Sequence, residues 1–124
     1  MDDVDLLQHA TRLHNEWQHT AYLTLGRLLS RAHRDGLPPL EWTVLPHGAL
    51  RGEVPHRDSR GEEYTPATGL ALYERWCAYL GPVKHEKDRV YSLLGKTIKT
   101  ARASGAQPWM KDTHIVLRVE LREE

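Results

Sequence analysis

The sequence predicts an α+β protein, and three features carry that prediction. Apolar residues recur at helical spacing through residues 3–35, short stretches further on alternate apolar and polar residues, and a proline-led second helix follows a threonine N-cap. A length of 124 residues fits a single domain, 1–124. A long helix occupies 1–36, and a hairpin, a second helix and C-terminal antiparallel strands occupy 37–124. We expect the order α-β-β-α-β-β and an antiparallel sheet with the helices on one face.

The first helix is predicted over residues 3–35. Asp2 or Asp3 caps its start, and Asp35-Gly36 ends it because glycine tolerates the left-handed position after a helix. Steps of three or four residues separate its apolar positions, which are Leu6, Ala10, Leu13, Trp17, Ala21, Leu25, Leu28 and Ala32.

The length of this helix leaves two arrangements open. Unbroken, it spans about 50 Å, whereas a compact domain of this size is about 35 Å across. In one arrangement the N-terminal end projects and forms an interface with a second copy or another partner. In the other, the helix breaks between Thr20 and Gly26, and residues 3–19 fold back onto the domain. The interface residues of the first arrangement are Leu6, Ala10, Leu13 and Trp17.

The middle of the chain predicts a hairpin followed by the second helix. Residues 40–45 and 49–54 alternate as strands do, with a turn between them, and 55–64 form a polar loop. The helix runs from Pro66 to Leu80, with Thr65 as its N-cap and Gly81-Pro82 after its end.

The last third predicts strands. Residues 88–103 fit either a helix or two strands, and we favour strands with Gly95 as a bulge, because β-branched residues alternate there. Residues 104–112 form a loop. Residues 113–122 are the clearest strand of the chain, with Ile115, Leu117, Val119 and Leu121 on one face.

Three segments carry a resemblance to a known group of proteins. They are residues 36–44 (GLPPLEWTV), 48–54 (GALRGEV) and 74–81 (ERWCAYLG). Together they resemble small, mostly uncharacterised actinobacterial accessory proteins of the Streptomyces type, carried on phages and integrative elements. The resemblance covers residues 28–81 and implies a helix, a hairpin and a second helix. Its residues are structural, so it implies no catalytic site.

The charge is uneven along the chain, although 17 basic and 17 acidic residues balance overall. Residues 83–111 carry seven basic and two acidic residues, and the remaining parts are mildly acidic. Such a segment can contact the phosphates of DNA or RNA, although lysines on an edge strand also protect a sheet from aggregation. The candidate residues for nucleic acid or an acidic partner are Lys84, Lys87, Arg89, Lys96, Lys99 and Arg102.

No residues stand at the spacing of a catalytic or ligand-binding motif, so we expect a non-enzyme with no cofactor and no metal site. His9, His14 and His19 are each five residues apart, which turns each by about 140° around a helix and prevents convergence on one ion. Cys77 lies on the apolar face of the second helix, as inert structural thiols do. Trp109 in the loop 104–112 either anchors a partner or folds back over the core.

These observations favour a small non-enzymatic binding or regulatory protein of a mobile element, acting on a protein partner or on itself as a homodimer. The alternative is a DNA- or RNA-binding regulator that uses residues 84–111. The single cysteine excludes an internal disulfide and favours the cytoplasm. No apolar run approaches the roughly 20 residues that span a membrane, and no small-molecule substrate is indicated.

Overall fold

The computed structural model describes residues 3–104 and 113–122. It confirms the α+β class, with two helices and a six-stranded sheet in the described ranges. The elements in chain order are α1 (Asp3–Arg34), β1 (Glu41–Val44), β2 (Leu50–Glu53), α2 (Pro66–Leu80), β3 (Lys84–His85), β4 (Arg89–Tyr91), a 3₁₀ turn (Ser92–Leu94), β5 (Lys96–Ser104) and β6 (His114–Arg122). Strands lie in the order β1-β2-β6-β5-β3, and β4 also pairs with β5.

α1 is one unbroken helix, so of the two arrangements left open by the sequence, the one with a break between Thr20 and Gly26 does not occur. Its 32 residues span about 48 Å at 1.5 Å per residue. The end is as predicted: Leu37 N donates to the carbonyl of Ala32 at 2.9 Å, and Gly36 takes a positive φ of 73°. Gly26 lies within the helix. The packing of the buried residues on either side of it stabilises the helix more than one glycine destabilises it.

The sheet is mixed, which corrects the fully antiparallel prediction. The hairpin of β1 and β2 and the pair β5–β6 are antiparallel, as expected. β6, however, lies parallel to β2, with Leu50 opposite Ile115 and Glu53 opposite Arg118. Between β2 and β6 the chain forms α2 and three further strands. A connection of this length can carry the chain back to the end of the sheet at which β2 begins, so that β6 runs parallel to β2.

Residues 88–103 form two strands joined by the 3₁₀ turn, which confirms the preference for strands over a helix. Arg89–Tyr91 forms β4, which pairs antiparallel with the first part of β5. Gly95 is not a bulge. It has a φ of 60° and ends the 3₁₀ turn that joins the two strands. The sequence predicts no element at residues 84–85, where the structure has the two-residue strand β3. This strand pairs with Ala101 and Arg102 of β5.

The core gathers buried residues from both helices and from alternate positions of the sheet. α1 contributes Ala21, Leu28 and Ala32, and α2 contributes its buried aromatic and aliphatic residues. The sheet contributes Leu50, Ala101, Ala103, Ile115, Leu117 and Val119. Trp76 of α2 also donates from Nε1 to the carbonyl of Pro38 at 2.9 Å, which fixes the chain that leaves α1. Helix α2 has the predicted N-cap: the Oγ1 of Thr65, the residue before the helix, accepts a hydrogen bond from the amide of Thr68.

No helix within residues 3–104 and 113–122 is both long enough and apolar enough to cross a membrane.

Candidate functional site: the projecting half of the first helix

Helix α1 divides into a half that builds the core and a half that does not. Its buried residues, Ala21, Thr24, Leu28 and Ala32, all lie in the C-terminal half. Thr24 Oγ1 lies 3.2 Å from Thr113 Oγ1 in a buried hydrogen bond to the residue before β6. None of residues 3–16 is buried. We call residues 3–16 the projecting half.

Trp17 marks the boundary between these halves, because there the helix meets the turn between β1 and β2. Gly48 in this turn has a φ of 88°. A Cβ at Gly48 would lie 2.7 Å from Trp17 Cβ and 2.9 Å from the Trp17 carbonyl oxygen. The absent side chain therefore lets the turn backbone lie directly against the helix backbone. This contact lies at the base of the projecting half.

The predicted interface residues lie along this projecting half. Leu6 is 52% exposed and Trp17 is 46% exposed, Ala10 is exposed and Leu13 is half-buried. We call Leu6, Ala10, Leu13 and Trp17 the apolar stripe. At about 100° per residue, these four residues and the buried Ala21, Thr24, Leu28 and Ala32 all fall within an arc of about 100°. The stripe thus continues the core-facing side of α1 beyond the edge of the core.

A pocket of about 430 Å³ lies at the root of the projecting half. Its described lining residues come from α1, from the β1–β2 turn and from the start of β6. They are Trp17, Thr20, His47, Gly48, Ala49, Thr113 and His114. Sequence reasoning missed this pocket because it depends on three segments that only the tertiary fold brings together.

The structure divides the predicted basic residues into two groups. Lys96 pairs with Glu120 at 3.3 Å, Lys99 pairs with Asp88 at 2.6 Å, and Arg102 pairs with Glu86. In contrast, Lys84, Lys87 and Arg89 are exposed and form no ion pair within the described residues. Only the second group keeps its full charge available to an anionic partner.

Next to this second group lies an exposed apolar tip that the sequence did not single out. Val90, Leu93 and Leu94 on β4 and the 3₁₀ turn are exposed, and Leu93 is fully so. Tyr91 is also exposed, and Lys96 Nζ lies 5.8 Å from the centre of its ring. β4 and the 3₁₀ turn therefore present a cation, an aromatic ring and leucines close together, and Lys84 of β3 lies further along the same edge of β5.

Three residues of types that can bind a metal meet near the ends of β2 and β6. Ligand atoms of Glu53, His56 and Glu120 lie within 4.8 Å of one another. Both carboxylates already face cations, since Arg118 pairs with Glu53 and with Glu120, and Lys96 pairs with Glu120. A metal ion would have to displace these cations, so the cluster acts as an ionic network that joins the strands.

The pKa of Glu120 reflects this network. Its side chain is only 8% exposed, and burial alone raises the pKa. Hydrogen bonds from Lys96 and Arg122, together with the charge of Lys96, outweigh burial and lower the pKa below the ordinary value for glutamate. The carboxylate is therefore held charged by its neighbours.

The remaining candidates differ in where they lie. Cys77 is buried in the core, and burial raises the pKa of its thiol, so the reactive thiolate is disfavoured. Trp109, the predicted loop anchor, lies outside the described residues.

No protein family, no curated protein and no solved structure matches this chain.

Proposed function

We propose that this protein is a non-enzymatic binding protein that forms a homodimer through the projecting half of α1. The supporting observation is a continuous helix whose core-facing side extends past the core as the apolar stripe. From the resemblance of residues 28–81, we further propose an accessory or regulatory role on an actinobacterial mobile element. A cytoplasmic location belongs to the same proposal.

A physical argument supports pairing through this surface. Helices shorter than about 12–15 residues are marginal in water, and most helical stability comes from packing an apolar side. Within residues 3–16 only Leu13 is buried at all, and it is only half-buried. A partner against the stripe would remove apolar area from water at about 25 cal/mol per Å². A second copy offers a matching stripe of the same length, as two-fold pairing requires.

The test is the oligomeric state of the full chain at tens of micromolar, by light scattering and sedimentation. Leu6→Glu and Leu13→Glu each place a charge in the stripe, and we expect a monomer in both. The matched control is Leu23→Glu, because Leu23 is an exposed leucine of α1 on the side away from the stripe. The control should remain a dimer.

Circular dichroism separates loss of pairing from loss of folding. Leu6 lies eleven residues from Trp17, about 16 Å along the helix, so Leu6→Glu cannot reach the core. We expect its sheet and α2 signals to persist. A wild-type monomer at tens of micromolar would overturn the proposal.

The second candidate function is nucleic-acid binding, and one observation favours it: Lys84, Lys87 and Arg89 are exposed and unpaired among the described residues, and Arg89 shares β4 with the exposed Tyr91. Cations that contact phosphates and a ring that stacks on bases are the elements of single-strand recognition. If this surface binds, affinity for a single-stranded oligonucleotide falls steeply with salt, because phosphate contacts release counterions.

The control for this second candidate is built into the two basic groups. The triple alanine variant of Lys84, Lys87 and Arg89 should lose oligonucleotide binding. The double alanine variant of Lys99 and Arg102 should keep most of it, because those charges are already paired. Lys96 is left in place because its Nζ lies against the ring of Tyr91. Equal affinity of the first variant and the wild type would reject this surface.

A further inference from the structure

We infer that the end of β6 is a docking site for an extended peptide segment with alternating apolar and acidic side chains, which adds to the sheet as a short strand. The site lies beside Glu120, where β2 has ended and β6 continues. Glu120 is about 20 Å along the strand from His114, which lines the pocket at the root of the projecting half. The inference goes beyond the proposed dimer and does not depend on it.

The edge of β6 that faces β2 is unpaired beyond Arg118. The parallel ladder ends with Glu53 opposite Arg118, and its last backbone hydrogen bond runs from Val54 N to the Arg118 carbonyl at 2.9 Å. Every second residue of a strand directs its backbone N–H and C=O groups to the same edge. Both groups of Glu120 and the N–H of Arg122 therefore point to this edge, where no described residue bonds to them.

The chain that follows β2 leaves this edge free because it bonds to itself instead. Tyr64 N donates to the carbonyl of His56 at 3.0 Å, and Arg57 forms a bridge with Glu63. The loop 55–64 thus closes as a small hairpin of its own. β6 meanwhile continues to its end beside β5.

A pocket of about 350 Å³ borders the free edge, and we call it the β6 groove. Its volume lies within the range of about 300–1,000 Å³ that is usual for ligand pockets. One wall of the groove is largely apolar. It comes from Val119 and Leu121 of β6, from Val54, and from Pro66 and Gly69 of α2.

The opposite wall is charged and carries one positive charge in excess. It includes Glu120 and Arg122, whose side chains point to the other face of the sheet from Val119 and Leu121. Three basic side chains share the carboxylates of Glu120 and Glu53; they are Lys96, Arg118 and Arg122. An acidic side chain in the groove therefore completes the balance of charge.

The remaining charged residues of the lining agree with an acidic occupant. The imidazole of His56 lies beside Glu120. The exposed carboxylate of Glu63 already pairs with Arg57 at 3.4 Å. The groove thus places no unpaired described carboxylate against an incoming one.

An extended peptide matches both the free edge and the two walls. Its backbone offers donors and acceptors at the same two-residue spacing as the free groups of β6. Its side chains alternate between the faces of the sheet, so an apolar one meets Leu121 while the next, acidic one meets Arg122. A helix cannot make these contacts, because its interior backbone groups are already bonded within the helix.

A titration of the full chain with one peptide tests the site. The probe is the acetylated and amidated pentapeptide Val-Glu-Val-Glu-Val, and the readout is the amide NMR spectrum of nitrogen-labelled protein. New hydrogen bonds should move the amide protons of Glu120 and Arg122 downfield. The amide of His114, at the far end of β6, should stay in place.

Backbone methylation of the peptide separates strand pairing from other binding. Adjacent N–H groups of a strand point to opposite edges, so one faces β6 and the next faces solvent. We compare two peptides that carry an N-methyl group on the central valine or on the following glutamate. One should lose binding and the other should keep it.

Two variants of Arg122 provide the matched test on the protein. Arg122→Ala and Arg122→Pro both remove the side chain, but only proline also removes the N–H that faces the groove. Proline is tolerated at such a position because this N–H is not part of the ladder. The proline variant should bind the peptide about tenfold more weakly than the alanine variant. Circular dichroism of both variants checks that they are folded.

The outcomes divide as follows. Shifts at Glu120 and Arg122, loss of binding for one methylated peptide only, and weaker binding by Arg122→Pro than by Arg122→Ala support the inference. No binding at millimolar peptide, equal effects of the two methyl groups, or equal affinity of the two variants overturns it. Shifts of the same amides on dilution without peptide would assign the edge to a second copy and also overturn it. None of these results decides the proposed dimer, which the oligomeric state of the Leu6→Glu and Leu13→Glu variants tests.

Discussion

Replacing Gly48 by alanine tests the close contact between the β1–β2 turn and α1 at the base of the projecting half. The new Cβ would lie 2.7 Å from Trp17 Cβ and 2.9 Å from its carbonyl oxygen. Both atoms belong to the rigid part of a helix, so neither can swing aside as a long side chain would. Overpacking of this kind costs about 1–3 kcal/mol. The φ of 88° adds the cost of a left-handed conformation in a residue with a Cβ, about 1–2 kcal/mol.

The chain offers a matched control for the backbone strain. Gly61 has a φ of 85°, but an added Cβ there meets nothing within 4 Å. Gly61→Ala therefore carries the strain cost alone. We expect urea unfolding to give Gly48→Ala a free energy of unfolding about 1–3 kcal/mol lower than that of Gly61→Ala.

The comparison must be made at one protein concentration, since a dimer's stability depends on it. A further variant tests whether the clash involves the Cβ and carbonyl of Trp17 rather than its indole ring. Trp17→Ala keeps the Cβ and the carbonyl, so it should not relieve Gly48→Ala, and the coupling in a double-mutant cycle should be near zero. Equal stability of Gly48→Ala and Gly61→Ala would refute the close contact between turn and helix.

Three further changes follow from the described contacts. Folding lowers the pKa of Glu120, so the charged carboxylate contributes to the free energy of unfolding above a pH of about 4.3, and this contribution is lost as the pH falls through the pKa of the folded state. Glu120→Gln should therefore flatten this part of a stability–pH curve measured by urea unfolding. Trp76→Phe removes the 2.9 Å hydrogen bond to the Pro38 carbonyl and part of a buried ring, so we expect a loss of about 2–4 kcal/mol in the same assay. The thiol of Cys77 is buried, so a thiol reagent should label it slowly in the native protein and quickly in urea; fast native labelling would contradict its burial.

The local elements were predictable because their signals are local. The helical period of the apolar residues predicted α1, and Thr65 with Pro66 predicted the start of α2 at the residue where it begins. The alternation of Ile115, Leu117 and Val119 predicted β6, and these residues are buried. Each of these signals depends on neighbours within a few residues, so tertiary contacts did not have to be known.

The pairing of distant strands was not predictable for the opposite reason. Whether β6 lies parallel or antiparallel to β2 depends on how the intervening chain crosses the sheet, and the residues of the two strands do not indicate that path. Likewise, the two-residue β3 is too short to show a period. The ion pairs of Lys99 with Asp88 and of Arg102 with Glu86 depend on the β-strand register. The sequence therefore showed six basic residues, of which three are exposed and have no ion pair with any residue that the structure describes.

The candidate site shows the same division between local and distant information. The stripe was visible in the sequence, but the residue at which the core ends was not, because the helical pattern does not change there. Ala21 is buried and Leu6 is exposed, although both continue one apolar side of the helix. The turn at Gly48 sets the boundary from outside α1, by meeting the helix at Trp17.

This position of the boundary has a consequence for how substitutions in α1 act. From Ala21 to Ala32, the buried residues occupy about 17 Å of a helix about 48 Å long, and a polar substitution there exposes the domain's own core. In the proposed dimer, a polar substitution at Leu6 removes contacts with the partner and none within the domain. Stability and association are therefore carried by different parts of one continuous helix side. A protein built in this way can change its partner specificity by substitutions in the projecting half without weakening its fold.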